Sequence, residues 1–148
     1  MYQNKMELTF ESKSENEAFA RVVVAAFIAR LDPTLEEIAD IKTAVSEAVT
    51  NAIIHGYNNE PGNEVHMSCE VSGKSMEIRV SDQGVGIPDI QKAKEPMYTT
   101  KPDMERSGMG FIFMEVFMDS LEIISEVDTG TTIIMRKTLA SGNTEIGE

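Results

Sequence analysis

Residues 35–52 carry Leu35, Ile38, Ile41, Val45, Ala48, Val49 and Ala52 at three- and four-residue spacing, so they form a helix whose apolar face has to be buried. Thr34 and Glu37 supply a capping box at its start, and Gly56 suits a left-handed C-terminal cap. Around this helix the period changes to two. Residues 5–11 alternate, with Met6, Leu8 and Phe10 on one side and Lys5, Glu7, Thr9 and Glu11 on the other, which predicts a half-buried strand. Two short runs, 64–71 and 75–81, joined through Ser72-Gly73-Lys74, read as a hairpin. A strand over 121–127, a turn at Gly130 and a strand over 131–138 give another pair. A first helix starts at a Ser14/Glu17 capping box and runs to about Leu31, where Asp32-Pro33 breaks it, because proline disfavours helical geometry in the residue before it. A last, strongly apolar helix contains Phe111, Ile112, Met114, Val116 and Phe117. Strands that cluster in hairpins, with helices interspersed, predict an α+β two-layer sandwich: a mixed, mainly antiparallel sheet with helices on one face. The absence of a linker predicts one domain over 1–148, with a frayed tail at 139–148.

Charge and cysteine usage exclude several functions. Thirteen Lys and Arg against 25 Asp and Glu give a net charge of −12, so the chain should repel nucleic acid and anionic membranes and attract a basic protein partner. Cys69 is the only cysteine, which excludes an internal disulfide and a cysteine metal site and fits a reducing cytoplasm. The longest apolar run, Val22 to Ala29, is far short of the ~20 residues that span a bilayer.

Four constellations carry chemistry. Glu47 and Asn51 lie four apart and share a helix face. Asp82-Gln83-Gly84-Val85-Gly86-Ile87-Pro88 follows directly on a strand, Ser107-Gly108-Met109-Gly110 opens a helix, and Gly130-Thr131-Thr132 begins the last strand. Taken singly, each has an ordinary reading as a solvated face, a surface turn, a helix entry or a hairpin. Together they suit a nucleotide. Glycine lets backbone approach a ligand closely, and the helix start at Gly108–Gly110 offers free N–H groups to phosphates. Asp82 can accept a hydrogen bond from an adenine amino group. Asn51 offers a neutral oxygen to Mg²⁺, and Glu47, one turn earlier, can take a proton from an attacking hydroxyl or water. The segment 88–107 is longer than an idle connection. Within it Lys92, Lys94, Lys101 and Arg106 stand against Glu95, Asp103 and Glu105, with Asp89 at its start set aside. Such a cation-bearing island in an acidic chain suits a lid over an anionic ligand.

These boxes, in this order over about residues 40–136, resemble the N, G1, G2 and G3 boxes of the GHKL family of ATP-binding proteins, which includes gyrase, Hsp90, MutL and the sensor histidine kinases. Within it, SEAVTNAIIHGY, MYTTK and ERSGMGF are similar to segments of the serine-kinase anti-sigma factors. Met97 stands in MYTTK where a larger or aromatic residue is expected. The resemblance implies an ATP-binding fold with a mobile lid at about 88–107 and a homodimer. It also implies sequestration of a sporulation sigma factor from RNA polymerase and Mg-ATP-dependent phosphorylation of a serine on an anti-anti-sigma protein. Glu47 would be the base and Asn51 the Mg²⁺ ligand. Asp82, Gly84, Gly86 and Ile87 would meet the adenine, and Gly108, Gly110 and Thr131 would line the phosphate and base pocket. Lys101, Arg106, Thr99, Thr100 and Ser107 would add contacts from the lid. Arg21, which interrupts an apolar helix face, either pairs with Glu17 or contacts a partner. Two alternatives stand beside this reading: a sensor-type histidine kinase catalytic domain, and an ATP-gated binding module without transferase activity.

Overall fold

The computed structural model describes residues 1–95 and 110–140. Strand β1 (Gln3–Glu11) leads into helix α1 (Glu15–Ile28), which closes with a 3₁₀ turn (Ala29–Leu31). Helix α2 (Leu35–Thr50) continues into a π-helical turn (Asn51–Gly56). The hairpin β2 (Glu64–Ser72) and β3 (Ser75–Asp82) precedes a one-turn helix α3 (Ile90–Ala93). Helix α4 (Gly110–Phe117) and the pair β4 (Ser120–Glu126) and β5 (Gly130–Thr138) complete the described chain. The five strands form one sheet in the order β1-β2-β3-β5-β4, and every pairing is antiparallel. The expected two-layer α+β architecture is the one observed.

The sheet's inner face and the helices share one core. From the strands come Phe10, Val65, Met67, Ile78, Val80, Ile133 and Met135, and from α2 come Ile41, Ala44, Val45, Ala48 and Val49, all buried. Helix α2 packs against both α1 and α4 and lies over β3. The other face of the sheet is mostly polar and exposed, with Ile134 buried on it. Glu77 there receives Arg79 Nε at 2.8 Å and Arg136 Nε at 2.9 Å, which holds its carboxyl below the usual range. Such exposed pairs contribute little stability, on the order of 0.5 kcal/mol each. Among the described residues, no helix is long and apolar enough to cross a membrane.

The two predicted capping boxes turn out differently. At α2 the box is complete: Glu37 N–H donates to Thr34 Oγ1 at 3.0 Å, and Thr34 N–H donates to Glu37 Oε1 at 2.9 Å. At α1 there is none, because Ser14 already has helical backbone angles (φ −55°, ψ −33°). Glu17 is drawn away, accepting from Ser46 on α2 and pairing with Arg21 Nε at 2.6 Å. Tertiary partners have outcompeted the local motif.

Three further expectations are corrected. Gly56 does not take a left-handed conformation; that role falls to Asn58 (φ 55°) and Asn59 (φ 59°) in the following turn. Buried Ser12 pins this turn by donating to the Glu60 carbonyl at 2.7 Å and accepting from Asn63 N–H at 3.2 Å. The tail does not fray from 139: Leu139 is buried and its N–H donates to the Lys74 carbonyl at 2.9 Å, while Ala140 N–H donates to Glu37 Oε2 at 2.9 Å. The glycine-rich stretch after β3 is also not wholly irregular, since Asp89 accepts from Lys92 N–H at 3.1 Å and caps α3.

The two caps make opposite predictions. Thr34→Ala should lower unfolding free energy by about 1 kcal/mol, the usual worth of an N-cap. Ser14→Ala should change it by less than about 0.5 kcal/mol. Urea unfolding of both variants, with unchanged slopes, checks the pair; equal losses would contradict the assignment.

Candidate nucleotide-binding site

Along the inner face of the sheet, side chains are apolar row after row until the end nearest the π-helical turn. Ile78 on β3 pairs across with Met135 on β5, and Val80 with Ile133, followed by Ile123 on β4. The next row on the same face is Asp82, Thr131 and Ser125. A buried polar row is the informative deviation on such a face. Asp82 is only 6% exposed and Thr131 4%.

Asp82 accepts from Gly84 N–H at 2.9 Å and from the backbone N–H of Thr131. A carboxylate has about four acceptor positions, so two such bonds leave capacity for an incoming donor. Burial pushes its pKa up to about 6 from 3.8, against the opposing pull of those two N–H groups. Carrying this charge in the fold costs roughly 3 kcal/mol at neutral pH, at about 1.4 kcal/mol per unit. The sign follows from linkage: the folded pKa exceeds the unfolded one, so the fold is favoured below about pH 4 and loses that advantage as pH rises through about 6.

Glycines let the backbone close around this carboxylate. A Cβ on Gly56 would lie 2.7 Å from Asp82 Cγ, so the end of the π turn rests directly on the acid. A Cβ on Gly84 would come within 1.9 Å of the Gly56 carbonyl oxygen, which accepts from Val85 N–H at 3.0 Å. Gly86 adopts φ 78°, the left-handed region open to glycine, with the Glu126 carbonyl 2.3 Å from its would-be Cβ. The expectation was that these glycines admit a ligand; what they admit first is the chain's own backbone.

Sequence reasoning missed three members of this site. Tyr57 is buried; its hydroxyl accepts from Gln83 N–H at 2.6 Å and donates to the Glu64 carbonyl at 2.7 Å, fixing the loop just after Asp82. Burial raises its phenol pKa. Ser125 Oγ accepts from Ile87 N–H at 2.7 Å and lies 2.7 Å from Thr131 Oγ1. Gly56 read as a cap, yet serves as a contact surface. Ser125 alone had a legible signal, breaking the apolar alternation of Leu121 and Ile123.

The remaining expected residues fall in several places. Glu47 sits half-buried in the last turn of α2, and Asn51, also half-buried, starts the π turn, its N–H reaching both the Ala48 and the Glu47 carbonyls. That turn packs against β3 and β5. π-turns inside helices recur at functional sites, and periodicity alone did not reveal this one. Gly110 is the first residue of α4. Thr99, Thr100, Lys101, Arg106, Ser107 and Gly108 lie outside the described residues. Of the cations expected in a lid, Lys94 pairs with Glu115 on α4 at 2.9 Å. Arg21 pairs with Glu17. Among the described residues no group of three or more His, Cys, Asp or Glu is arranged to hold a metal ion. Cys69 is buried, and desolvation pushes its thiol up to about 12, so it carries no thiolate chemistry. An open cavity of about 560 Å³ on the outer sheet face, between Lys5, Glu70, Glu77 and Arg136, shares no residue with the Asp82 site.

The fold is shared with known proteins. Residues 10–137 match the family described as histidine kinase-like ATPase domain. The anti-sigma F factor of Oceanobacillus iheyensis is 57% identical over 141 residues, covering 95% of this chain and 97% of that protein. The anti-sigma F factor of Geobacillus kaustophilus is 57% identical over 137 residues, covering 93% and 94%. The chain belongs to the anti-sigma F factors of the histidine kinase-like ATPase family. A crystal structure of RsbU and RsbW domains from Mycobacterium tuberculosis superposes with a TM-score of 0.67 at 20% identity, covering 92% of this chain and 32% of that one, and shows the shared fold. Membership of this family implies that the chain binds ATP.

Asp82→Asn separates the functional and structural roles of the carboxylate. Nucleotide affinity should fall by roughly 10- to 100-fold, the scale of a lost hydrogen bond to a charged group. The ligand-free variant should be more stable than wild type at pH 8, by about 1–3 kcal/mol, with the gap closing toward pH 4.5. Urea unfolding at both pH values checks this; a gap independent of pH would remove burial of the charge as its source.

Proposed function

We propose that this protein binds Mg-ATP at the Asp82 site, transfers the γ-phosphoryl group to a serine of an anti-anti-sigma protein, and sequesters a sporulation sigma factor from RNA polymerase. The buried Asp82 carboxylate, framed by Gly56 and Gly84 at the end of an otherwise apolar sheet face, is the observation that carries the reading. Relatives named anti-sigma F factor supply the regulatory role and disfavour the sensor-type histidine kinase alternative.

Each part of the chain has a task in that chemistry. Asp82 accepts from the adenine amino group, with Thr131, Gly84, Gly86 and Ile87 around it. Gly108 and Gly110 bring the free N–H groups of the α4 start to the phosphates. Lys101, Arg106, Thr99, Thr100 and Ser107 belong to the lid that completes the phosphate contacts. ATP supplies the phosphoryl group, and Mg²⁺, a hard cation preferring oxygen ligands, screens its charge when bound. Asn51 offers a neutral side-chain oxygen that suits it. Glu47 takes the proton from the serine hydroxyl as its oxygen attacks phosphorus and ADP leaves. Arg21, on the outer part of α1, serves partner recognition, with Glu17 holding its guanidinium in place. A net charge of −12 suits a basic, DNA-binding client. A homodimer in the cytoplasm completes the proposal.

Incubation with Mg²⁺, γ-labelled ATP and a lysate of the source cells tests it. Acid-stable label should appear on a small protein and fall by roughly 10²-fold or more with Glu47→Ala, the scale of a lost general base, while ATP binding persists. Acid-labile label would point to histidine chemistry. Tight ATP binding with no transferred label would leave an ATP-gated binding module.

A further inference from the structure

Three consecutive amides after β3 each have an acceptor within the chain. Gln83 N–H donates to the Tyr57 hydroxyl at 2.6 Å, Gly84 N–H to Asp82 Oδ1 at 2.9 Å, and Val85 N–H to the Gly56 carbonyl at 3.0 Å. The outer two acceptors belong to Gly56 and Tyr57, where the π turn ends. The π geometry brings them there. Tyr57 N–H donates to the Ala52 carbonyl, five residues back, at 3.0 Å, and the Ile53 carbonyl is taken by Asn59 N–H at 2.8 Å. That wider ring re-aims the residues that follow it. Tyr57 is 8% exposed. A phenol has one proton, and here it goes to the Glu64 carbonyl at 2.7 Å, so toward Gln83 the hydroxyl accepts and both bonds form at once.

We propose that Tyr57 is a positioning residue for nucleotide binding, whose hydroxyl ties the Asp82–Val85 loop to the start of β2 and so holds the loop in the geometry that receives the base. This rests on reading the Asp82 pocket as the ATP site. Tyr57 acts through the loop: Gln83 is clamped by the phenol, Val85 by the Gly56 carbonyl, and Gly84 between them is bonded to the Asp82 carboxylate. A loop fixed beforehand spares an incoming ligand the cost of ordering it, which is how a supporting residue raises affinity without touching the ligand. Removing the hydroxyl releases only the Gln83 side of the clamp, because Gly56 still accepts from Val85. The loop then loosens rather than unfolds. The two bonds of the phenol reach neither Glu47 nor Asn51, so the loosening falls on the base end of the nucleotide and leaves the phosphate and Mg²⁺ end as it was.

Calorimetry on the full chain tests this with Mg-ATP, Mg-ADP, and ADP in EDTA, for wild type, Tyr57→Phe and Ser12→Ala. If wild type binds neither nucleotide, the site reading itself fails and the inference with it. If wild type binds, Tyr57→Phe, which keeps the ring, should lose roughly 3- to 10-fold in affinity, the range of one hydrogen bond, and by the same factor under all three conditions. Ser12→Ala is the control for general loosening. It removes the buried hydroxyl that pins the same turn at Glu60 and Asn63, so it should lower the unfolding midpoint yet keep wild-type affinities. Three results would each overturn the proposal: unchanged affinity in Tyr57→Phe, a loss confined to ATP or to Mg²⁺, or an equal loss in Ser12→Ala. Should the phenylalanine variant not fold, amide hydrogen exchange on the ligand-free wild type decides. The Gln83 amide should be strongly protected, and exchange at the rate of an unfolded chain would show that the phenol does not hold the loop.

Discussion

A carboxylate buried at the end of an apolar sheet face costs stability at neutral pH, and the surrounding structure is arranged to hold it there. Asp82 takes two backbone N–H groups, one from its own loop and one from β5, and still has its pKa pushed up to about 6. Those bonds reduce the penalty of burial without cancelling it. The π turn after α2, the close approach of Gly84 to the Gly56 carbonyl, and the Tyr57 bridge from Gln83 to Glu64 all depend on this group's position. Instability concentrated in one polar group is a common mark of a functional site, where binding requirements and folding requirements diverge.

The site is therefore less a loop decorated with ligand contacts than a junction of four backbone segments. The end of α2, the Asp82–Ile87 loop, the end of β4 and the start of β5 meet within hydrogen-bonding distance of each other. Asp128 N–H donates to the Val85 carbonyl at 2.8 Å, so the β4–β5 turn and the glycine loop are locked together. A ligand that reorganises one of these segments acts on the others, because packed interiors transmit displacement rather than absorb it. Lys94, a few residues beyond this junction, pairs with Glu115 on α4.

Periodicity made most of the architecture legible. Alternation in β1, the Gly73 turn between β2 and β3, and the apolar stripe of α2 are local patterns that one conformation satisfies. The capping box at Thr34 formed because Glu37 has an oxygen for each partner, Oε1 accepting from Thr34 N–H and Oε2 from Ala140 N–H. The same motif at Ser14 failed because Glu17 found Ser46 and Arg21. Leu139 looked like a loose end in sequence, yet the Lys74 carbonyl and a place in the core anchor it. Each mismatch has one origin: partners distant along the chain, invisible to a window of neighbouring residues.

By itself, the sequence determined which residue types stand in which order: strands and helices by period, and Glu47, Asn51, Asp82, the glycines and Thr131 by motif. It determined that the chain is acidic, without internal disulfides, and a member of an ATP-binding family. Only the tertiary structure decided what those residues do for one another. It turned Gly56 from a helix cap into the surface on which Asp82 rests, and made a tyrosine and a serine part of the site. It also raised the pKa of Asp82, because desolvation depends on everything packed around a charge and on nothing in its own segment alone.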